Sequence, residues 1–249
     1  MKIAIMQPTY NPWLGYFDLM DKVDIFVYLD DVKLVKGSWH VRNRIKASNS
    51  EMFLTIPINI KTSSKKTLIN NAEIKETNWR KKHIKSIEQN YRKSKFYDIV
   101  FPFVKKLILN DFNVLGNFNI NFIENIKEII GITTKTIKSS ELNVLGQKDE
   151  RLVKICKKLN ANIYLSPQGS AEYIEAKTPG GEFIKNGIKL FYHNYEHPIY
   201  NQLYGEFLPY MGIIDLLFNE GFENALEIIR SGRKKDFDYK EFRKIKGIE

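Results

Sequence analysis

The sequence predicts an α/β fold: a Rossmann-like, mainly parallel sheet with a central helical insertion. Three observations carry this. Short runs rich in isoleucine and valine, each ending in a polar loop, read as strands buried on both faces. They alternate with amphipathic stretches of helical period, the pattern of βαβ units. Residues 77–131 read as consecutive helical segments with no strand among them, an insertion or lid between two α/β portions. The 249 residues suffice for a buried core and read as one α/β domain, 1–249, ending in a charged C-terminal tail, 233–249.

The first strand, Ile3-Ala4-Ile5-Met6, leads into Gln7-Pro8-Thr9-Tyr10-Asn11-Pro12-Trp13-Leu14-Gly15-Tyr16. A helical stretch runs to Val23, and a second strand, Ile25 to Leu29, ends in Asp30-Asp31. Ligands of open α/β sheets bind outside the carboxyl ends of strands, so this loop and the acid pair are site candidates. The plainer alternative is a Pro/Gly turn whose aromatics pack on the core. Val32 to Lys46 mixes basic, amide and aromatic groups. Met52 to Ile58 reads as a strand that ends, or runs at an edge, at Pro57, and Asn59 to Asn71 as a polar loop. Thr77 or Asn78 caps a helix from Trp79, and helical segments follow at Tyr97–Asn110 and Asn119–Ile130, with Gly131 as the stop. Next come a strand at Ile132–Lys138, a helix at Asp149–Leu159 and a short strand at Asn162–Leu165 opening into Ser166-Pro167-Gln168-Gly169-Ser170. The strand Gly187–Tyr192 leads into His193 to Gln202, a helix from Met211 stops near Gly221, and one more reaches Arg230.

Composition narrows the function. Hydrophobic residues at 43% and aromatics at 13% describe a packed protein. The single cysteine, Cys156, excludes a disulfide framework or a Cys-based zinc site and reads as a small buried hydrophobe. No signal peptide or bilayer-spanning run is found, so a reducing cytoplasm is expected. The net charge of +10 attracts polyanions such as nucleic acid, nucleotide-linked substrates or anionic membrane, although much of it lies in dispersed lysines such as Lys61, Lys65 and Lys66. The linear sequence shows no ladder of aromatics interleaved with basic residues. Neither a Walker A sequence nor a Gly-x-Gly-x-x-Gly fingerprint occurs, and the cofactor is left unassigned. Four histidines are too few for a rich metal cluster, and no metal site is assigned.

Several motifs in one order carry a family likeness. At Gln7-Pro8-x-Tyr10-x-Pro12-Trp13-x-Gly15-Tyr16-Phe17, Asp24-x-Phe26-Val27, Asp30-Asp31-Val32 and Trp39-x-x-Arg42-Asn43-Arg44-Ile45 the sequence resembles the WbqC-like protein family. The likeness continues through Trp79-Arg80-Lys81-Lys82-His83, Tyr164-Leu165-Ser166, His197-Pro198-x-Tyr200-x-Gln202, Gly205-Glu206-Phe207 and Ile214 to Asn219. It implies a bacterial cytoplasmic protein of the kind found in cell-surface polysaccharide (O-antigen, lipopolysaccharide or capsule) gene clusters, where modified amino sugars are built. The opening is also similar in architecture to the class I nucleotidylyl-transferase superfamily. That superfamily has His-x-Gly-His where this chain has Trp13-Leu14-Gly15-Tyr16, so the likeness speaks for the sheet and not for adenylation.

Candidate roles follow. Arg42 and Arg44 are phosphate forks, with Lys36 a further cation and Asn43 a partner for a ribose or sugar hydroxyl; as strand neighbours, the arginines can equally pair with surface acids. Trp13 and Tyr16 stack on a sugar or base, with Gln7, Tyr10 and Gly15 completing that loop's contacts. Asp30 and Asp31 can bind a divalent cation, orient hydroxyls or supply a base, or merely end a strand. His197 is the expected general base for an amine nucleophile, with Tyr200, Gln202 and Glu206 beside it; a structural histidine is the alternative. Ser166 lacks a nucleophile elbow, so it and Gly169 suit backbone contacts to a phosphate or carboxylate. His83 reads as a surface residue or phosphate contact. Together with the resemblance, these predict a transferase that places an acyl or aminoacyl group on the amine of a nucleotide-linked amino sugar. The donor is an acyl-CoA, a free amino acid or an aminoacyl-tRNA. A glycosyltransferase, an aminoacyl-tRNA-dependent transferase and a non-catalytic assembly protein are the rivals; the oligomeric state is open.

Overall fold

In the computed structural model, which describes residues 1–48, 50–59 and 67–248, the short apolar runs become strands of a six-stranded sheet. The first half of the chain forms β1 (Lys2–Met6), α1 (Leu14–Asp21), β2 (Ile25–Tyr28), β3 (Arg42–Lys46), β4 (Glu51–Thr55), α2 (Trp79–Tyr91), α3 (Tyr97–Ile108) and α4 (Leu115–Ile129). The second half forms β5 (Lys135–Lys138), α5 (Ser139–Leu142), α6 (Lys148–Lys158), β6 (Ile163–Ser166), α7 (Ala171–Ile174), α8 (Gly181–Lys185), β7 (Lys189–Tyr192), α9 (Ile213–Ser231), β8 (Phe237–Asp238) and α10 (Tyr239–Lys246).

The sheet order is β5-β2-β1-β6-β7-β8, parallel throughout except for β8, which runs antiparallel to β7. This is the α/β, mainly parallel architecture that the apolar runs predict. From β1 the chain winds outward to β2 and β5, then returns to place β6 on the other side of β1. The winding therefore reverses between β1 and β6, where a crevice opens at the carboxyl ends.

Both faces of the sheet are covered, which is why β1 and β2 read as nearly unbroken apolar runs. Alternate residues point to opposite sides. Ala4, Phe26 and Tyr28 join one core with α1, α9 and the helices α2–α4. Ile3, Ile5 and Val27 join a second core with α6, α7 and α8. The residues predicted as a helical insertion supply much of the first core, among them Tyr91, Val104, Phe118 and Phe122, and Tyr91 stacks on Phe218 of α9 at 4.6 Å.

The segment predicted as a strand from Met52 to Ile58 is β4, which pairs with β3 in a separate antiparallel hairpin. Of the loop expected at Asn59–Asn71, residues 60–66 lie outside the described residues; Ile58 bridges to Ile74, and Ile69–Asn71 form a 3₁₀ turn. Gly221 breaks α9 with φ 81°, the stop its position predicts. Beyond Arg233, Asp238 caps α10 by accepting from the Lys240 and Glu241 amides, and Phe242 is buried. No helix among the described residues is long and apolar enough to cross a membrane.

Candidate active site

The carboxyl ends of four parallel strands line one cavity of about 520 Å³. Met6 and Gln7 reach it from β1, Leu29 from β2, Gln168 to Ser170 from the turn after β6, and His193 and Tyr195 from the segment after β7. Trp13, Gly15 and Tyr16 contribute from the start of α1. No Lys, Arg, Asp or Glu lines it among the described residues. Aromatic rings with a few amide and hydroxyl groups suit a neutral ring with polar substituents, such as a sugar.

His193 is the one imidazole that lines this cavity among the described residues. Its Nε2 lies 2.7 Å from Oδ2 of Asp18, a fully buried carboxylate on α1. The other Asp18 oxygen accepts from Arg233 Nε at 2.5 Å. Arg233 also bonds Asp21, which receives a two-point contact from Arg230 at 2.8 and 2.9 Å. With Nε2–H donating to Asp18, the imidazole is left with a lone pair on Nδ1, the tautomer a general base requires.

A second cavity, about 230 Å³, shares Met6, Trp13, Tyr16 and Tyr210 with the first and adds Thr9, Trp39, Asn43 and Arg44. The indole of Trp13 meets Tyr210 edge-on at 5.4 Å on the shared wall. Gly15 makes that placement possible, because a Cβ there would overlap the Trp13 ring. Tyr210 holds φ at 62°, a left-handed conformation that costs a bulky residue of order 1 kcal/mol or more and is found disproportionately at functional sites. Arg44 donates to Glu51 at 2.7 Å and to the Tyr210 carbonyl at 3.1 Å, and its buried Nε has no partner among the described residues.

Thus Gln7, Trp13, Gly15, Tyr16 and Gly169 line the first cavity, and Asn43 and Arg44 line the second. The Asn43 amide is already used, donating to the carbonyls of Tyr10 and Asn11 and accepting from the Arg44 amide, so it ties β3 to the loop after β1. Tyr10 is buried in the core with its hydroxyl 3.1 Å from His83 Nδ1, and lines neither cavity. His83 is itself buried, and burial holds its pKa down at about 4. Ser166 is fully buried, its hydroxyl turned to the Pro167 carbonyl. Lys36 and Arg42 are exposed, Arg42 lying over the Phe53 ring.

Asp30 and Asp31 face α5 and α6 instead. Asp30 accepts from the Ser140 amide and from the hydroxyls of Ser139 and Ser140, capping α5. Asp31 accepts from Ser139 and Arg151. His197 stacks parallel to Trp13 at 6.2 Å, with Nδ1 2.9 Å from the Pro198 carbonyl and Nε2 buried without a partner among the described residues. Burial lowers its pKa, and it lines neither cavity. Tyr200 and Gln202 serve Asp215, each donating to its Oδ2 at 2.8 Å while Tyr91 donates to Oδ1 at 2.6 Å. Burial raises the Asp215 carboxyl pKa despite these donors. Glu206 accepts Lys46 Nζ on its carbonyl at 2.5 Å and borders a separate hollow beside Lys46.

The sequence profile of the WbqC-like protein family matches residues 7–227. The chain belongs to the WbqC-like family. It is 32% identical over 228 residues to the uncharacterized protein Rv1507c of Mycobacterium tuberculosis, a match that covers 89% of this chain and 95% of that protein. No solved structure matches. In this WbqC-like chain His193 and Asp18 lie inside the matched span, and Arg230 and Arg233, which brace the acids of α1, lie beyond it.

The residues that sequence reasoning passed over are His193, Asp18, Tyr195, Tyr210 and Asp215. His193 had a signal: it follows the end of an apolar strand, as Gln7 and Ser166 do. Asp18 had none, being an acid between Phe17 and Leu19 of an apolar helix, and Asp215, between Ile214 and Leu216, stood out only as part of the Ile214–Asn219 motif.

Proposed function

We propose that this WbqC-like protein is a transferase of bacterial surface-polysaccharide biosynthesis that acylates the amine of a nucleotide-linked amino sugar. The observation that carries the reading is the His193–Asp18 pair at the wall of an aromatic, otherwise uncharged cavity. The sugar ring packs among Trp13, Tyr16 and Tyr195 with its amine facing His193, and the diphosphate reaches Arg44 in the adjoining cavity. His193 Nδ1 takes the proton from the amine as its nitrogen attacks the carbonyl of an acyl or aminoacyl thioester or ester. The new C–N bond forms, the C–S or C–O bond breaks, and the proton passes from His193 to the leaving thiolate or alkoxide. Asp18 holds the imidazole in the required tautomer and stabilises the imidazolium formed on the way.

The occupied carboxylates of Asp30 and Asp31 favour acyl transfer over a glycosyl transfer built on that acid pair. The test is calorimetry with UDP- and dTDP-linked amino sugars, followed by mass spectrometry of each with acetyl-CoA and with aminoacyl-tRNA. Binding together with a product heavier by the acyl group is the expected result. Absence of binding to every amino sugar at millimolar concentration overturns the proposal.

A further inference from the structure

The hairpin above the second cavity carries a feature that the transfer reading leaves unused. Register pairs Arg44 with Phe53 and Arg42 with Thr55, so Arg42, Arg44 and Phe53 share one face. Trp39 lies against that face, its ring stacked on Phe53 at 6.2 Å and 26°. Arg42 sits over Phe53 at 4.8 Å, and Arg44 over Trp39 at 5.6 Å. Yet Trp39 is 50% exposed and Phe53 42%.

The surroundings are cationic. Between Val32 and Thr55 the chain has five Lys or Arg residues and one acid, Glu51, which is paired with Arg44. Trp39 and Arg44 also line the second cavity, which in turn shares Met6, Trp13, Tyr16 and Tyr210 with the larger one, so the exposed stack and the two cavities adjoin one another in order. A planar group joined to phosphates matches the outer two of these: rings to stack on, then a guanidinium with an unsatisfied Nε.

We infer that Trp39 and Phe53, flanked by Arg42 and Arg44, stack the base of a nucleoside diphosphate whose phosphates lie against Arg44. This rests on the reading of the larger cavity as the site of a nucleotide-linked sugar and adds where its nucleoside is held. Stacking on an aromatic ring is tolerant of base identity, so UDP, dTDP and ADP bind within a few-fold of one another.

Titration of the protein with UDP, followed by calorimetry, tests this, with ribose 5-phosphate as a probe that lacks the base. Trp39→Ala is expected to weaken UDP about tenfold or more while leaving ribose 5-phosphate binding and the melting temperature unchanged, and Trp39→Phe to restore most of the affinity. Equal UDP affinity in wild type and Trp39→Ala overturns the inference. So does a dodecathymidylate that binds far more tightly than UDP through Trp39, which makes the face a polymer surface. The two readings fail separately. Trp39-dependent UDP binding without amide product keeps the subsite and removes the transferase. Amide product from Trp39→Ala at an unchanged KM does the reverse.

Discussion

His193 Nε2 lies 2.7 Å from Asp18 Oδ2, joining the segment after β7 to the helix after β1 across the point where the sheet's winding reverses. Asp18 is fully buried and meets Arg233 on its other oxygen, so the imidazole is oriented by a carboxylate that is itself fixed. The three side chains form one positioned unit.

Replacing the imidazole should separate chemistry from binding. His193→Gln is expected to lower kcat for amide formation by about 10²–10⁴ while nucleotide-sugar affinity changes only a few-fold. Steady-state kinetics beside calorimetry checks this; a kcat within threefold of wild type removes His193 from the chemistry.

Gly15→Ala probes the wall between the cavities. Helix propensity alone would make alanine stabilising by up to about 1 kcal/mol. The Cβ overlaps the Trp13 ring, however, and must push the indole off Tyr210 and His197. A changed tryptophan emission and at least tenfold weaker nucleotide-sugar binding are expected, with little change in melting temperature. Wild-type affinity in this variant would mean that the indole's position is immaterial.

Gly212→Ala should damage the fold itself. Its Cβ would overlap the side chain of Asn11 and approach the Asn11 carbonyl at 2.7 Å, and Asn11 is fully buried. Gly212 also donates to the Arg44 carbonyl at 2.9 Å, so the clash lies where β3, α1 and α9 converge. A loss of about 2 kcal/mol or more in urea denaturation is expected.

Acid should destabilise the protein through two buried histidines. Burial lowers the pKa of His40 and of His83 to about 4 from the ordinary 6.5. Between those values the unfolded chain binds more protons than the native one, so the stability present above pH 6.5 falls progressively as the pH drops to about 4, by up to roughly 3 kcal/mol per histidine. Asp215 acts in the opposite sense. Its raised pKa favours the native state at pH values below the ordinary 3.8, and that contribution is lost as the pH rises through the raised value. His83→Gln should flatten the denaturation midpoint between pH 7 and 4.5. An unchanged slope would mean that His83 is not protonated on unfolding in that range.

Much of the sheet was legible because β1, β2 and β6 are largely buried on both faces, which forces apolar runs that period and length reveal. The loop from Gln7 to Tyr16 was legible as a location for the same reason. Individual roles were not. Tyr10 and Tyr16 stand in one loop, yet one pairs with His83 in the core and the other borders both cavities, a division made by tertiary packing. His197 was the more conspicuous histidine, beside Pro198 and near Tyr200. Only the fold shows that its ring serves Trp13, and that His193 meets an acid 175 positions away. The Arg–aromatic stack was invisible because strand pairing, and not adjacency, brings Phe53 to Arg44.

The bond from Arg233 to Asp18 spans 215 positions. Loop-closure entropy makes such distant pairings slow to form, and a chain emerging from the ribosome at about 5–20 residues per second presents α1 many seconds before Arg233. Asp18 can therefore gain its Arg233 contact only after β1, β2, β5, β6 and β7, and its other partner His193, have been synthesised. Binding competence should be among the last properties acquired in folding, trailing the burial of β1 and β2.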